Sequence, residues 1–154
     1  MNNTIIGKKI RCINFMSEIS ENIVKYAIYK KYKIMPNWNT KSGDLELLSI
    51  KIEVKGFSSD GPSSFGPEEN WDFIYFIDCK DYINKNFIIY EIKLSNRSYI
   101  FRNIKINKNE TFGQIADSNQ RGKLRGCFDK IFKNQLANYC KIIFNGNIND
   151  LLIN

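Results

Sequence analysis

The chain contains no histidine. That absence removes the Ser-His-Asp triad and every other mechanism that needs an imidazole base. The cysteines, Cys12, Cys79, Cys127 and Cys140, never fall in a C-x-x-C spacing. Without histidine to complete a ligand set, a structural zinc site is not expected. The thiols read instead as small, reduced, mostly buried side chains. No apolar run approaches the ~18 residues that a membrane span needs. Charges are scattered through the first thirty residues, which is unlike a signal peptide. Internal repeats and low-complexity blocks are also lacking. The expectation is a soluble, intracellular protein.

What remains is ordinary globular material. The 154 residues are 43% hydrophobic and 25% charged, which suits a single domain over 1–154 around one core. The net charge of +7 is unevenly placed. Residues 1–96 are nearly balanced, with 13 basic against 12 acidic side chains, whereas residues 97–141 hold 10 against 3. Such a stretch is either a solvated surface or a face that attracts a polyanion such as DNA.

Apolar spacing predicts a helix over 17–33, with Ser17 or Ser20 as N-cap and Pro36 closing the region. Residues 35–43 read as a loop. Strands are expected over 44–49 and 50–57; the second alternates, with Ile50, Ile52 and Val54 on one face and Lys51, Glu53 and Lys55 on the other. The Ser/Gly/Pro-rich segment after it is long enough to be a functional loop. Residues 72–78 look like a strand buried on both faces. Further strands are expected over 86–94 and, as an edge, 98–106. A helix is expected over 127–138, then a strand or helix extension over 140–144.

One constellation carries chemistry. Asp44 opens the first strand, and Glu53-Val54-Lys55 follows on the second. Glu53 and Lys55 are two apart on a strand and point to the same side. A hairpin would bring Asp44 to them. Two carboxylates and an ammonium suit phosphodiester hydrolysis: hard oxygens hold Mg²⁺, or Mn²⁺ in its place, the ion polarises the phosphate and acidifies a water, and the lysine stabilises charge. A second triplet, Glu91-Ile92-Lys93 with Asp81 upstream, competes with it. The first is preferred because a carboxylate-bearing helix precedes it, its strand separates charged from apolar residues, and a long polar loop follows. An amphipathic hairpin with surface charges is the plain alternative.

The order helix, Gly43-Asp44, Glu53-Val54-Lys55, strands and helix resembles the PD-(D/E)XK nuclease core. The stretch KIEVKGFSSDGPSSFGPEENWDFIYFID, residues 51–78 and about a fifth of the chain, further resembles small type II restriction endonucleases. Gly43 stands where that family often has proline. The resemblance implies an α/β fold with a restriction-endonuclease-like core, a central mixed β-sheet flanked by α-helices. It implies Asp44 and Glu53 as metal ligands, the Val54 carbonyl completing the metal shell, and Lys55 as the catalytic lysine. Glu21 could serve as the helix glutamate that some members use, or be a plain helix surface residue.

DNA contacts are expected from Ser58, Ser59, Ser63 and Ser64, whose hydroxyls sit among glycines that let backbone approach phosphate. Arg121, Lys123 and Arg125 are the candidates for base reading or phosphate clamping. Trp71 and Asp72 read as anchors for the strand after them. One active centre per chain calls for a homodimer to cut both strands. The leading expectation is a type II restriction endonuclease acting on double-stranded DNA. A Holliday-junction resolvase or repair nuclease with the same core, and a non-catalytic DNA-binding module, are the alternatives.

Overall fold

The computed structural model describes residues 7–38, 44–66, 69–120 and 122–152, with side chains in the first helix from residue 19 onward. Helix α1 spans Gly7–Tyr32, ten residues longer at its start than the spacing predicts. Ser17 and Ser20 are therefore interior residues and not caps. Ile23, Val24, Ala27 and Ile28 form the buried stripe, as their helical spacing requires. The helix stops where Lys33 enters the left-handed region at φ 65° and donates its N–H to Tyr29 O at 2.7 Å, a C-terminal arrangement that closes the last turn.

Strands β1 (Asn37–Trp38), β2 (Leu45–Leu47) and β3 (Ile50–Phe57) follow, then β4 (Ser63–Ser64), β5 (Phe73–Asp78), β6 (Asn86–Ile92), β7 (Arg125–Gly126) and β8 (Cys140–Asn147). The main sheet has the order β1-β2-β3-β5-β6-β8. β3 and β5 are parallel and the other neighbours antiparallel. This is the mixed sheet that the sequence led us to expect. Short helices α2 (Tyr99–Arg102), α3 (Phe112–Asp117), α4 (Lys133–Gln135) and α5 (Ile148–Leu152) complete the fold.

Apolar layers cover both faces of the sheet. On one, α1 packs against Leu45, Ile52, Val54, Tyr75 and Ile77. On the other, Ile74, Phe76 and Ile92 meet an aromatic layer that includes Phe65, Trp71, Phe101, Phe112 and Phe132. The β5 strand is therefore buried on both sides, as its continuous apolar run indicates. The polar face of β3 is buried too, unlike that of a surface hairpin.

Two expectations change. Residues 98–106 are not an edge strand. Ser98 caps α2 by accepting from Phe101 N at 3.2 Å, and the buried Phe101 and Ile104 recur at a spacing of three, which suits a turn of helix. The expected helix over 127–138 is a π-helical turn, Phe128–Phe132, running into α4. Its buried Phe128, Phe132 and Leu136 keep the four-residue spacing that suggested a helix. The 140–144 alternative resolves as strand β8.

Two glycines permit close packing. A Cβ on Gly56 would lie 2.5 Å from Ser20 Oγ of α1, and one on Gly126 would lie 2.8 Å from the Phe132 ring. Gly126→Ala is expected to destabilise the protein by about 1–3 kcal/mol, the usual cost of overpacking, read as a lower urea midpoint at unchanged m.

Candidate active site

The tight β2–β3 turn decides what faces what. Leu48 and Ser49 both have positive φ, 51° and 72°, as a two-residue hairpin turn of right-handed twist demands. The register pairs Leu45 with Ile52 and Leu47 with Ile50. Continued by one residue, it sets Asp44 opposite Glu53. Asp44 N–H donates to Ile52 O at 3.1 Å, and its Oδ2 accepts from Val54 N at 2.8 Å. A one-residue slip would send Asp44 to the other face.

The Asp44 carboxyl is hydrogen-bonded to those of Glu53 and Glu21. Glu21 arrives from α1 and is half-buried. Glu53 is only 5% exposed. Its Oε2 lies 3.2 Å from Lys55 Nζ, and the same ammonium lies 3.1 Å from Glu69 Oε1. The Phe65 ring centroid is 4.9 Å from Lys55 Nζ, within cation–π range. The sequence reading missed Glu69, because its place in the Ser/Gly/Pro-rich loop carries no periodicity that could aim it at Lys55.

Burial pushes the Glu53 carboxyl up to about 8, with Asp44 and Glu69 adding to the rise and Lys55 opposing it. Burial also raises Asp44, against the Val54 N–H and the Lys55 charge. Burial works against the Lys55 ammonium, but Glu53 and Glu69 outweigh it and hold its pKa above the ordinary value. Crowded carboxyls that keep a proton out of water are what a cation would relieve.

The donors that converge are hard oxygens, with no histidine and no cysteine among them. Among the described residues no group of three or more acidic or thiol side chains forms a ready ligand cage. A pair of carboxyls fits an ion that keeps most of its waters, as Mg²⁺ does, and does not fit a closed zinc site.

The second triplet is built differently. Glu91 is buried and accepts from Tyr32 Oη at 2.9 and 2.8 Å and from Tyr75 Oη at 2.8 Å. Asp81 binds Asn84 and Asn86 before β6 begins, roughly 17 Å away along the strand at about 3.4 Å per residue. Lys93 lies over the Tyr32 and Phe73 rings. Among the described residues no acidic pair forms there. Trp71 and Asp72 are anchors: Trp71 is 1% exposed and donates from Nε1 to Leu94 O, and Asp72 accepts from Lys51 N.

Two of the expected DNA-contacting segments meet. β4 and β7 pair as a two-stranded ribbon, Ser63 with Gly126 and Ser64 with Arg125. Ser64 and Arg125 face solvent. Ser63 turns inward, so its hydroxyl is not presented to a ligand. The guanidinia of Arg97 and Arg102 are paired with Asp72 and Asp117. Among the described residues Arg125 makes no such pair. Lys123 lies 3.5 Å from Glu110. Ser58 and Ser59 are exposed but flank an acidic group in which Lys80 bridges Asp60, Asp78 and Asp129. Arg121 lies outside the described residues. Cys79, Cys127 and Cys140 are free thiols, and burial pushes Cys79 up to about 11; Cys12 lies outside the described side chains.

A family model described as Bsp6I restriction endonuclease matches residues 1–131. The chain belongs to the Bsp6I restriction endonuclease family. Membership makes it an endodeoxyribonuclease, with DNA as its partner. The family match takes in Glu21, Asp44, Glu53, Lys55, Glu69 and Arg125 and stops short of β8. Comparison with curated proteins and with solved structures gives no match. No helix among the described residues is long and apolar enough to cross a membrane.

A carboxyl raised by folding holds a proton that the unfolded chain has released. For Glu53, the metal-free protein should therefore lose stability as pH rises from 4.5 to about 8. Urea unfolding in EDTA across that window checks this. Glu53→Gln should flatten the slope; an unchanged slope would show that the proton sits elsewhere.

Proposed function

We propose that this Bsp6I-family chain is a type II restriction endonuclease of the PD-(D/E)XK kind, hydrolysing duplex DNA at a short specific sequence with Mg²⁺. One observation carries the reading. The Asp44 and Glu53 carboxyls are in hydrogen-bond contact, and the Lys55 ammonium is 3.2 Å from Glu53. That is the acid-acid-lysine set that metal-assisted phosphodiester cleavage uses.

In this reading Asp44, Glu53 and the Val54 carbonyl hold the ion, with Glu21 steadying Asp44. When bound, the ion supplies Lewis acidity to the scissile phosphate and acidifies a water. The chain's own residues do the rest. Lys55 donates to the phosphate oxygens and stabilises the negative charge that grows on them. The aromatic roof over β3 limits water around that ammonium, which strengthens its pull on an anion.

Duplex DNA is held by the β4–β7 ribbon. A two-stranded ribbon fits the major groove, where a guanidinium pairs with guanine O6 and N7. Arg125 is exposed, directly opposite Ser64 in the ribbon and, among the described residues, in no ion pair, which suits it to base reading; Ser64 suits phosphate. Lys123, exposed just before β7, adds a further positive charge there. Two copies related by a two-fold axis would cut both strands, so the working form is a homodimer.

Lys55→Ala should lower single-turnover cleavage of long duplex DNA by about 10²–10³-fold, the range for losing one preorganised charge donor. DNA retention in EDTA should persist. Wild-type protein that leaves duplex DNA intact with both Mg²⁺ and Mn²⁺, or that cuts only four-way junctions, would overturn the restriction reading. Arg125→Ala should weaken specific binding by about 1–3 kcal/mol and relax one base position, measured by salt-titrated competition against site variants. A uniform loss at every sequence would instead make Arg125 a phosphate contact.

A further inference from the structure

We propose that Glu69 is the positioning residue that keeps the Lys55 ammonium in place while Glu53 is engaged by the cation. The inference rests on the reading of Lys55 as the catalytic lysine and adds to it a separate counter-charge.

Lys55 has two carboxylate neighbours, Glu53 at 3.2 Å and Glu69 at 3.1 Å. They are not equivalent. Glu53 shares its carboxyl with Asp44, so it is drawn into any ion held by that pair. A lysine with Glu53 as its single anchor would then follow the carboxylate toward a second cation, or swing out to solvent. Glu69 stands outside the Asp44–Glu53 pair. Its Oε1 is sealed from solvent and, among the described residues, has no hydrogen-bond partner, so the Lys55 ammonium at 3.1 Å is the charge it answers as an ion pair.

The Glu69 backbone is pinned. Its N–H donates to Gly66 O at 3.2 Å, and its carbonyl accepts from Asn96 Nδ2 at 2.9 Å. Asn96 Oδ1 in turn accepts from Trp71 N at 3.0 Å, and Trp71 is locked in the aromatic layer. The carboxylate thus comes to Lys55 from a segment tied to the core. With Phe65 on a further side of the ammonium, the lysine keeps one aim whatever Glu53 does. Preorganised charge of this kind lowers the reorganisation needed during reaction.

Glu69→Gln keeps the shape and removes the charge. Single-turnover cleavage at saturating protein should fall about 10–100-fold, as for other groups that orient a catalytic side chain, while DNA affinity in EDTA stays within about two-fold. Glu69→Asp should recover part of the rate. A readout without metal or DNA is amine labelling: reductive methylation of Lys55, followed by peptide mapping, should run several-fold faster in Glu69→Gln. Should that variant fail to fold, Glu69→Asp supplies both measurements with smaller changes in the same direction. In a Lys55→Ala background the Glu69 substitution should cost nothing further, since coupled residues are not additive. Wild-type cleavage and labelling in both Glu69 variants, or an equal loss with Lys55 absent, overturns the role of Glu69. Normal cleavage by Lys55→Ala alone overturns the reading of the lysine instead.

Discussion

Asp44 and Glu53 repel each other when both are charged, yet the fold holds them in hydrogen-bond contact, with Glu53 almost wholly out of water. The rest of the site answers to that constraint. Without a cation the pair must hold a proton, and the rise of the Glu53 pKa expresses it. Lys55 relieves part of the excess charge, but one ammonium faces Glu69 as well as Glu53. The packing of both sheet faces keeps these groups together, because the apolar layers leave the β2–β3 hairpin no other register. Marginally stable proteins tolerate such strain where it serves a task.

The same arrangement organises the surface around the acids. The β4–β7 ribbon leads directly into Phe65, whose ring lies against the Lys55 ammonium, and it pairs Ser64 with Arg125. Arg125 and Lys55 are thus linked through Phe65 and its neighbours Phe112 and Phe132. The Lys80 cluster with Asp60, Asp78 and Asp129 lies toward Ser58 and Ser59. Its net negative charge makes that end a poor seat for phosphate.

Much of this architecture was legible from residues alone, and the failures have identifiable causes. The alternation in Ile50–Phe57 is a local property of pleated backbone, so it predicted which side chains share a face. It could not tell that aromatic residues tens of positions later would roof the polar face. The stretch 98–106 alternates enough to resemble a strand, but the Ser98 cap and the burial of Phe101 with Ile104 win locally. The start of α1 was missed because Ser17 and Ser20 have the chemistry of caps, although Ile10, Ile13 and Met16 ahead of them already carry helical spacing. Ser63 has the same composition cues as Ser64; pairing with Gly126 turned one inward and left the other outside.

Glu53-Val54-Lys55 and the acid nine positions before Glu53 are written in the chain, because strand geometry places i and i+2 on one side and a short hairpin returns Asp44 to them. Their chemistry, hard oxygens and an amine without histidine, follows from residue type. Choosing this triplet over Glu91-Ile92-Lys93 is a matter of three dimensions: the two tyrosines that occupy Glu91 come from α1 and β5, remote in sequence. Glu69 belongs to the same class. A loop residue has no period to betray its aim, and it reaches Lys55 because Asn96 and Trp71 hold its backbone from elsewhere in the fold. Local covalent geometry sets what neighbours along the chain can do together, while contacts between distant segments set which groups share a water-poor space.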